Sequence, residues 1–407
     1  MRSLCQDAPM APPRTLAVVM AGGAGSRLGL LTERRAKPVI PVGGGYRLID
    51  ITLSNCAHSG IGDVWIVQQE MPASLEDALG NGRPWDLDRS TGGLRTLPPS
   101  QGNARSGPFT GTADALWKVA TLVREFEPEA LLVMSADAIY RLDYHEVVAG
   151  HLASGAAMTM VTTEVAQASE ASRLAVVEVD GTGTVTSFEY KPDDPSSTLV
   201  SNEIFVFDPT RTLDRLDAFA VSSGGDDDTD VDLENLQDEL VPSFVKDGDA
   251  RAHRFDGYWR DVGTIDSYWS AHMDLVAEQP PFDFDDERWP MLSAGQRFRT
   301  ARLRSSAAVT SSRVAGGCDV AGKVTRSVLS AGVTIERGAH VDRSVLLPGA
   351  IVRSGATVRR TVVDAGVTIG RDCDVGGARG GIAVVGNAMT VRKGTRIAAG
   401  EQRPLRR

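Results

Sequence analysis

The stretch Leu16-Ala-Val-Val-Met-Ala-Gly-Gly-Ala-Gly-Ser-Arg-Leu28 decides the fold of the first part of this chain. Its apolar first half is typical of a buried parallel strand, and the run then breaks into three glycines and a serine. Glycine lets the backbone approach a ligand so closely that its N–H groups can hold phosphate oxygens. The stretch therefore predicts a strand followed by a phosphate-binding turn that contains Gly22, Gly23 and Gly25.

Two cations accompany this turn: Arg27 within it, and Lys37 in the segment Arg34-Arg-Ala-Lys-Pro38. Fixed cations at this spacing can neutralise the charge on a leaving pyrophosphate. The pattern lacks the Gly-Lys-Ser/Thr of the P-loop, and its glycines are not spaced as in the dinucleotide fingerprint. A glycine-rich turn alone is more often plain turn chemistry. With the two cations attached, nucleotide binding becomes the favoured interpretation.

Composition limits the class of protein. With 407 residues, of which 42% are hydrophobic and 24% charged, the chain is long enough for two globular domains. The formal net charge of −10 argues against a nucleic acid or an anionic membrane as partner. Four scattered cysteines, with no pair at metal-ligand spacing, predict buried reduced thiols and a cytoplasmic protein. These are Cys5, Cys56, Cys318 and Cys373.

Residues 15–275 alternate short apolar runs with amphipathic stretches, and this alternation predicts a catalytic α/β domain with a doubly wound, mostly parallel sheet. The apolar runs at 64–67, 130–134, 158–161 and 204–207 are expected to be buried strands. Residues 113–125 carry helical periodicity. Ligands of such a sheet bind at the carboxyl ends of its strands. Residues 276–297 are expected to form a linker.

Residues 298–395 have a different composition and periodicity: branched residues recur every six residues, and glycines lie at the expected corners. Similar segments begin at Val328, Val345 and Val362, and their 17-residue offset indicates one coil of about 18 residues with a shortened corner. This pattern predicts a parallel β-helix of hexapeptide repeats, expected to be left-handed. An irregular Val/Gly-rich β region is the less favoured alternative.

Nine segments together resemble the nucleotidyltransferases that make nucleotide sugars, and most closely the glucose-1-phosphate adenylyltransferases. They are residues 20–28, 34–44, 46–56, 111–117, 135–144, 190–192, 201–208, 258–264 and 288–290. The resemblance runs from about Leu16 to about Ile369. It implies a homo-oligomer, a tetramer in the family, in which the β-helix mediates assembly and helps to form effector sites.

The resemblance also assigns roles to residues that bind metal and phosphate. Asp137, which follows a predicted strand, and Asp261 would hold Mg²⁺, although either aspartate alone would more often be a cap or turn residue. Arg27 and Lys37 would bind the β- and γ-phosphates. Nucleotidyl transfer needs such a cation but no general base, because the nucleophile is already a phosphate anion.

Further roles concern the nucleoside and the acceptor. Gly111, Thr112 and Asp114 resemble the segment that lies against the base and ribose, with helix capping as an alternative for Asp114. Gln68 resembles the glutamine that reads the base edge. Lys191 matches the lysine that binds the sugar phosphate, an assignment that depends on the resemblance alone.

The sequence departs from the adenylyltransferases on the sugar-binding side. Tyr190 replaces a glutamate before Lys191, and in the segment that starts at Ser201 a glycine becomes Glu203. Asn235 replaces an aspartate, and Phe205 a tyrosine. A polar pocket built for particular hydroxyl groups discriminates strongly against analogues that leave its groups unpaired. Changes at four positions therefore suggest an acceptor other than glucose 1-phosphate.

Three functions remain open from the sequence. The favoured hypothesis is a transferase that joins GTP or ATP to a cyclitol phosphate such as valienol 1-phosphate, for aminocyclitol antibiotics, because this keeps the reaction core beside an altered sugar wall. The first alternative is a glucose-1-phosphate adenylyltransferase that makes ADP-glucose for glycogen. The second is a catalytically silent regulatory subunit, against which the retention of Arg27, Lys37, Asp137, Lys191 and Asp261 argues.

Overall fold

The computed structural model describes residues 12–22, 25–99, 107–223, 233–295 and 298–404. Gly23 of the predicted phosphate-binding turn and Cys5 lie outside these ranges. The three other cysteines, Cys56, Cys318 and Cys373, are free thiols and all are buried, as expected from their scatter along the sequence. Within the described ranges, no helix has the length and apolar character that crossing a membrane requires.

The first domain contains thirteen described strands and eight described α-helices. Strands β1–β13 span Thr15–Met20, Pro41–Val42, Tyr46–Arg47, Asp63–Val67, Gly93–Leu97, Ala130–Ser135, Ala138–Tyr140, Met158–Glu164, Ala175–Val179, Val185–Tyr190, Leu199–Phe207, Ala250–Arg254 and Trp259–Asp261. Helices α1–α8 span Leu48–His58, Pro72–Leu79, Thr112–Phe126, Tyr144–Ser154, Ala168–Ala171, Pro209–Ser223, Leu240–Lys246 and Ile265–Asp274. Short 3-10 helices cover Ser26–Thr32, Lys37–Val39 and Arg83–Trp85.

The central sheet has the strand order β10-β9-β11-β6-β1-β4-β5, with β8 paired to β11 and β12 to β8. Strand β1 lies between β4 and β6 in the sheet and runs parallel to both, so the chain reverses its winding direction at β1. Such a switch point opens a crevice at the carboxyl ends of the strands. Met20 pairs with Ser135 there, so Gly22 and Asp137 leave the sheet side by side.

The sheet is buried on both faces, as a continuous run of apolar residues requires. Alternate residues of β1 enter different cores: Ala17 and Val19 belong to one apolar cluster, and Leu16 and Val18 to the other. All four side chains are fully buried. The doubly wound α/β fold expected from the sequence is confirmed, with antiparallel β11 inserted beside β6.

Residues 276–295, expected to be a linker, pack as a strap along the first domain. Phe284 and Met291 are buried in the core that contains Ala17. The Trp289 indole N–H donates to Asn55 Oδ1 (3.0 Å), and the Ser293 hydroxyl donates to Asp50 Oδ2 (2.6 Å). The segment has no helix or strand period, so its apolar residues were not recognisable as core.

The second domain is a β-helix made of three six-stranded parallel sheets. Its strands are Arg302–Leu303, Ala308–Thr310, Arg313–Val314, Asp319–Val320, Lys323–Thr325, Val328–Leu329, Thr334–Ile335, His340–Asp342, Val345–Leu346, Ile351–Val352, Thr357–Arg359, Thr361–Val363, Thr368–Ile369, Asp374–Gly376, Ala383–Val385, Thr390–Val391, Arg396–Ile397 and Gln402–Arg403. Val328 pairs with Val345 and Val345 with Val362, which confirms the predicted register. The coils continue to Arg403, beyond the predicted boundary at 395.

The two domains share one hydrophobic core. Five β-helix residues are buried in the same cluster as the catalytic domain: Val345, Leu347, Val362, Ile382 and Val384. Polar contacts flank this interface: Arg35 pairs with Asp364 (2.7 Å), and the Trp269 indole N–H donates to the Arg343 carbonyl (2.8 Å). The first domain therefore completes its core with residues of the β-helix.

We predict that removal of residues 296–407 yields an aggregating fragment, because it exposes the apolar surface that the five β-helix residues cover. Expression of residues 1–295, followed by size-exclusion chromatography and calorimetry, tests this. A soluble monomer with a cooperative unfolding transition would contradict it.

We predict a pH-dependent stability that originates at His272, which is buried between the Gly43 N–H (3.3 Å) and the Tyr268 carbonyl (2.8 Å). Burial lowers the pKa of His272 from 6.5 to about 4. As the pH falls, His272 becomes protonated in the unfolded chain at a higher pH than in the folded protein. The free energy of unfolding therefore falls by about 2 kcal/mol between pH 7 and pH 5 because of this one histidine.

Urea unfolding at the two pH values measures this loss, and the His272→Gln variant should have a weaker pH dependence than the wild type. Replacement of the exposed His145 by glutamine is the matched control. An unchanged pH slope in His272→Gln would contradict the assignment.

Candidate active site

A cleft of about 530 Å³ opens at the carboxyl ends of β1 and β6. Most of the predicted site residues line it, although they come from distant parts of the chain. These are Gly22, Gly25, Arg27, Lys37, Gly111, Thr112, Asp137, Tyr190, Lys191, Glu203, Asn235 and Asp261. The fold therefore brings the predicted phosphate-binding and acceptor-binding residues into one cavity.

The glycine turn after β1 requires its glycine at position 25. Gly25 has φ 61°, and a Cβ atom there would lie 2.8 Å from the Thr32 methyl carbon and 3.3 Å from Lys37 Cβ. The Thr32 hydroxyl donates to the Gly25 carbonyl (3.1 Å) and so closes the turn. This close packing directs the short helix that begins at Ser26 and carries the exposed Arg27 along the cleft.

The centre of the cleft is an ion pair between Lys37 and Asp137, with Nζ 2.6 Å from Oδ2. The Ser135 hydroxyl donates to the other carboxylate oxygen, Oδ1, at 2.6 Å. Desolvation raises the pKa of Asp137, but Lys37, the Ser135 hydrogen bond and Arg27 together hold it below its ordinary value. Desolvation likewise opposes the charge of Lys37, and its carboxylate neighbours raise its pKa. Both groups are thus charged at neutral pH.

Asp261 lies at the end of β13, which pairs antiparallel with β7 directly after Asp137. The Val262 N–H donates to the Asp137 carbonyl (2.9 Å) and joins the two segments. A Cβ atom on Gly263 would lie 2.7 Å from Asp261 Oδ2 and 3.3 Å from Arg27 Nη2, so a larger residue there would displace these two side-chain ends. Burial, followed by the charge of Asp137, raises the pKa of Asp261 to about 6.

Glu203 enters the same cleft from an irregularity in β11, where the register with β8 shifts between Ser201 and Phe205. Its backbone has φ 56°, and its N–H donates to the Ser201 hydroxyl (3.3 Å). Burial raises the pKa of Glu203 to about 7, and the charges of Asp137 and Asp261 add to this effect. Asp137, Asp261 and Glu203 therefore all line the cleft, and Lys37 forms its ion pair with Asp137.

Tyr190 and Lys191, predicted to bind the acceptor, line one part of the cleft. The Lys191 N–H donates to the Leu174 carbonyl (2.9 Å), which fixes the chain just after β10. The Lys191 ammonium donates to the Tyr190 hydroxyl and lies 4.1 Å from the centre of its ring. Tyr190 is 37% exposed, so a large aromatic surface faces the cavity.

The opposite wall is formed where the start of α3 meets the segment 233–238. A Cβ atom on Gly111 would lie 2.0 Å from the Glu234 carbonyl oxygen, which only glycine avoids. The Ala113 N–H donates to that same oxygen (3.0 Å), and the Leu236 N–H donates to the Thr112 hydroxyl (3.0 Å). These bonds place Asn235 at the cleft, where its amide donates to Asp238 (2.9 Å).

Three predicted site residues do not line the cleft. Gln68 is fully buried, with its amide 3.4 Å from Glu76, so the base-edge role predicted for it needs correction. Asp114 accepts from the Thr110 N–H (2.9 Å) and pairs with Lys118 (2.8 Å), the capping role left open above. Ser201 is buried beneath Glu203.

Other residues line the cleft without having been predicted. Gln69 does so in place of Gln68, because successive side chains after a strand point in opposite directions, and it accepts a hydrogen bond from the Phe109 N–H. Ser135, which orients Asp137, is the last residue of β6 and could have been suspected from that position. Exposed Arg173 also lines the cleft, and no pattern in the sequence marked it.

The donor set fits Mg²⁺ as a cation shared with the substrate. Hard carboxylate oxygens of Asp137 and Asp261 lie at the cleft, and burial, with the charge of Asp137 as the second cause, raises the pKa of Asp261. In the part of the chain that the structure describes, no group of three metal-ligating side chains converges. Magnesium is commonly held by one or two carboxylates, with substrate phosphates and water completing its coordination.

Two family models match the chain. A nucleotidyl transferase model matches residues 16–278, and a GlmU-like C-terminal hexapeptide model matches residues 294–380. The first covers more than half of the 407 residues and contains every predicted site residue. The second agrees with the coils of the β-helix.

Curated relatives cover most of the chain. Glucose-1-phosphate adenylyltransferase of Thermotoga neapolitana is 40% identical over 328 residues, covering 80% of this chain and 76% of the relative. The enzyme of that name from Clostridium beijerinckii is 39% identical over 384 residues, covering 94% and 97%. The one from Clostridium acetobutylicum is 37% identical over 329 residues, covering 81% and 84%.

Proposed function

This chain belongs to the nucleotidyl transferase family. We propose that it transfers the adenylyl group of ATP to glucose 1-phosphate, which gives ADP-glucose and pyrophosphate. The observation that carries the reaction class is the convergence of Arg27, Lys37, Asp137 and Asp261 beside the glycine turn. The choice of ATP and glucose 1-phosphate follows the names of the relatives.

In the proposed reaction a phosphate oxygen of the acceptor attacks the α-phosphorus of the nucleotide. The new P–O bond forms as the bond from the α-phosphorus to the pyrophosphate oxygen breaks, so pyrophosphate leaves with the electron pair. No proton needs to move, because the nucleophile is already an anion. The protein must therefore align two anions and stabilise the charge that develops on the leaving group.

The cleft residues divide these tasks. Arg27 and Lys37 bind the phosphates that leave, the arginine as a planar fork and the lysine as a point charge. Lys191 holds the acceptor phosphate, and the wall at Gly111 holds the nucleoside. Asp137 and Asp261 would hold Mg²⁺, which when bound supplies positive charge to the reacting phosphates. Lys37 also pairs with Asp137 (2.6 Å).

The relatives favour the alternative of the sequence analysis over its cyclitol hypothesis. A cyclitol 1-phosphate remains a second candidate on one observation: Tyr190 and Glu203 both face the acceptor end of the cleft, in place of the family's glutamate and glycine. Glu203 supplies a carboxylate from another strand, and Tyr190 adds an aromatic surface. A silent subunit is disfavoured, because both carboxylates and both phosphate-binding cations lie together in the cleft.

We predict that Asp137→Asn and Asp261→Asn each lower kcat by about 10²-fold or more, because each removes a charge that acts on the reacting phosphates. Pyrophosphate release at saturating magnesium measures the effect, and calorimetry verifies that the variants remain folded. Asp256→Asn, on an exposed residue before β13, is the control and should be unaffected. An Asp137 or Asp261 variant with more than a tenth of wild-type turnover would contradict the metal role.

We predict that kcat/KM is highest for ATP with glucose 1-phosphate when ATP, GTP, CTP, dTTP and UTP are each tested against glucose, mannose and cyclitol 1-phosphates. Pyrophosphate release provides one readout for every pair. A higher kcat/KM with a cyclitol 1-phosphate such as valienol 1-phosphate would contradict the proposed acceptor and support the second candidate. The double variant Tyr190→Glu with Glu203→Gly should then shift the preference towards glucose 1-phosphate by about tenfold or more, because it exchanges two polar groups of the pocket.

A further inference from the structure

A buried ion pair joins the β-helix to the segment of the catalytic domain that precedes Lys37. The Arg35 guanidinium donates to Asp364 Oδ1 at 2.7 Å, and the side chains are only 12% and 1% exposed. Asp364 follows the strand Thr361–Val363, and its own N–H donates to the Val385 carbonyl (2.9 Å). Its Oδ1 also accepts from the Ala365 N–H (2.6 Å). The carboxylate therefore has a fixed place on the β-helix.

Three consecutive residues of this segment are attached to three different parts of the protein. Arg35 binds the β-helix, the Ala36 N–H donates to the Ser74 hydroxyl on α2 (3.0 Å), and Lys37 pairs with Asp137 after β6. The 3-10 helix Lys37–Val39 begins at once, with Pro38 in its first turn. Little backbone freedom is left between Arg35 and Lys37, so a displacement of one shifts the other.

Each side chain of this ion pair keeps one polar atom without a further partner. Arg35 Nη1 and Asp364 Oδ2 are buried and have no protein hydrogen-bond partner. Desolvation raises the pKa of Asp364, while the charge of Arg35 acts against that rise. A buried charge that loses its partner is strongly unfavourable, so the two side chains hold each other at this place in the interface.

Another ion pair between the same two parts of the protein has no such connection. Arg313 of the β-helix pairs with Asp285 of the strap at 2.8 Å, but the Asp285 side chain is 66% exposed. Neither residue lines the cleft or adjoins one that does. This pair is a matched control, because it crosses a domain boundary without touching the segment of Lys37.

We propose that Asp364 is a positioning residue for the transfer reaction: acting from the β-helix through Arg35, it holds Lys37 at the phosphates. This role rests on the proposed function, in which Lys37 binds the leaving phosphates. The β-helix then contributes to turnover directly, in addition to completing the core. Asp364 itself does not line the cleft and touches no substrate.

The first experiment compares Asp364→Asn and Asp285→Asn with the wild type in the full-length chain. Asp364→Asn should lower kcat by about tenfold or more, because small misplacements of a phosphate-binding group are costly, whereas Asp285→Asn should leave it unchanged. Pyrophosphate release at saturating substrates measures kcat, at a temperature where calorimetry shows both variants folded. Equal kcat in Asp364→Asn and the wild type overturns the proposal.

A double variant separates positioning from stability. Asp364→Asn leaves Arg35 buried without a charged partner, and the added change Arg35→Met removes that charge. Arg35→Met with Asp364→Asn should therefore recover thermal stability while kcat stays low. Recovery of kcat together with stability would reduce the pair to a structural contact and overturn the proposal.

A double-mutant cycle with Lys37→Met tests whether the effect of Asp364→Asn on kcat passes through Lys37. In a Lys37→Met background, Asp364→Asn should cause no further loss of residual turnover, because the group that it positions is already absent. A full additional loss overturns the proposal. Wild-type protein without turnover on any substrate pair overturns the proposed function itself, whereas normal wild-type turnover with an unaffected Asp364→Asn variant overturns only the positioning role.

Discussion

The structure of the cleft depends on the pairing of Lys37 with Asp137, one cation and one anion held 2.6 Å apart at the edge of a buried sheet. Asp261 and Glu203 add negative charge to the same cavity, and desolvation raises the pKa of both. Lys37 keeps Asp137 ionised in this crowded site. In the proposed reaction the nucleotide would offer Lys37 further anionic partners, and the carboxylates would then be free to hold a cation. The glycine turn after β1 places Arg27 beside these charges.

The sequence predicted those parts of the protein that local chemistry specifies. The glycine turn, Lys37 and Asp137 follow from strand ends and phosphate chemistry, and the 17-residue offset of Val328, Val345 and Val362 follows from the packing of coils. The sequence analysis names Gln68, whereas Gln69 lines the cleft, because sequence alone does not show on which side of a strand end a side chain lies. The strap was missed because its buried Phe284 has no periodic neighbours, and Arg173 because it reaches the cleft only through the fold.

Prediction of the acceptor from the sequence is limited for a different reason. Tyr190 and Glu203 depart from the family pattern and do face the cleft, yet the relatives that match most of the chain are glucose-1-phosphate adenylyltransferases. A carboxylate that enters from β11 can accept hydrogen bonds from hydroxyl groups much as one before Lys191 would, so different sequence positions can present similar chemistry. Whether two such arrangements prefer the same ring depends on how hydroxyl groups are oriented, which residue identities alone do not encode.

The shared core has a consequence for biosynthesis. The cluster that contains Ala17 of strand β1 is closed by Val345, Val362 and Val384, which are synthesised hundreds of residues after β1. This apolar face of the α/β domain therefore stays uncovered until the coils of the β-helix have been made. The α/β domain therefore cannot complete its core before the β-helix is made, unlike a domain that folds as a unit before the next one is synthesised.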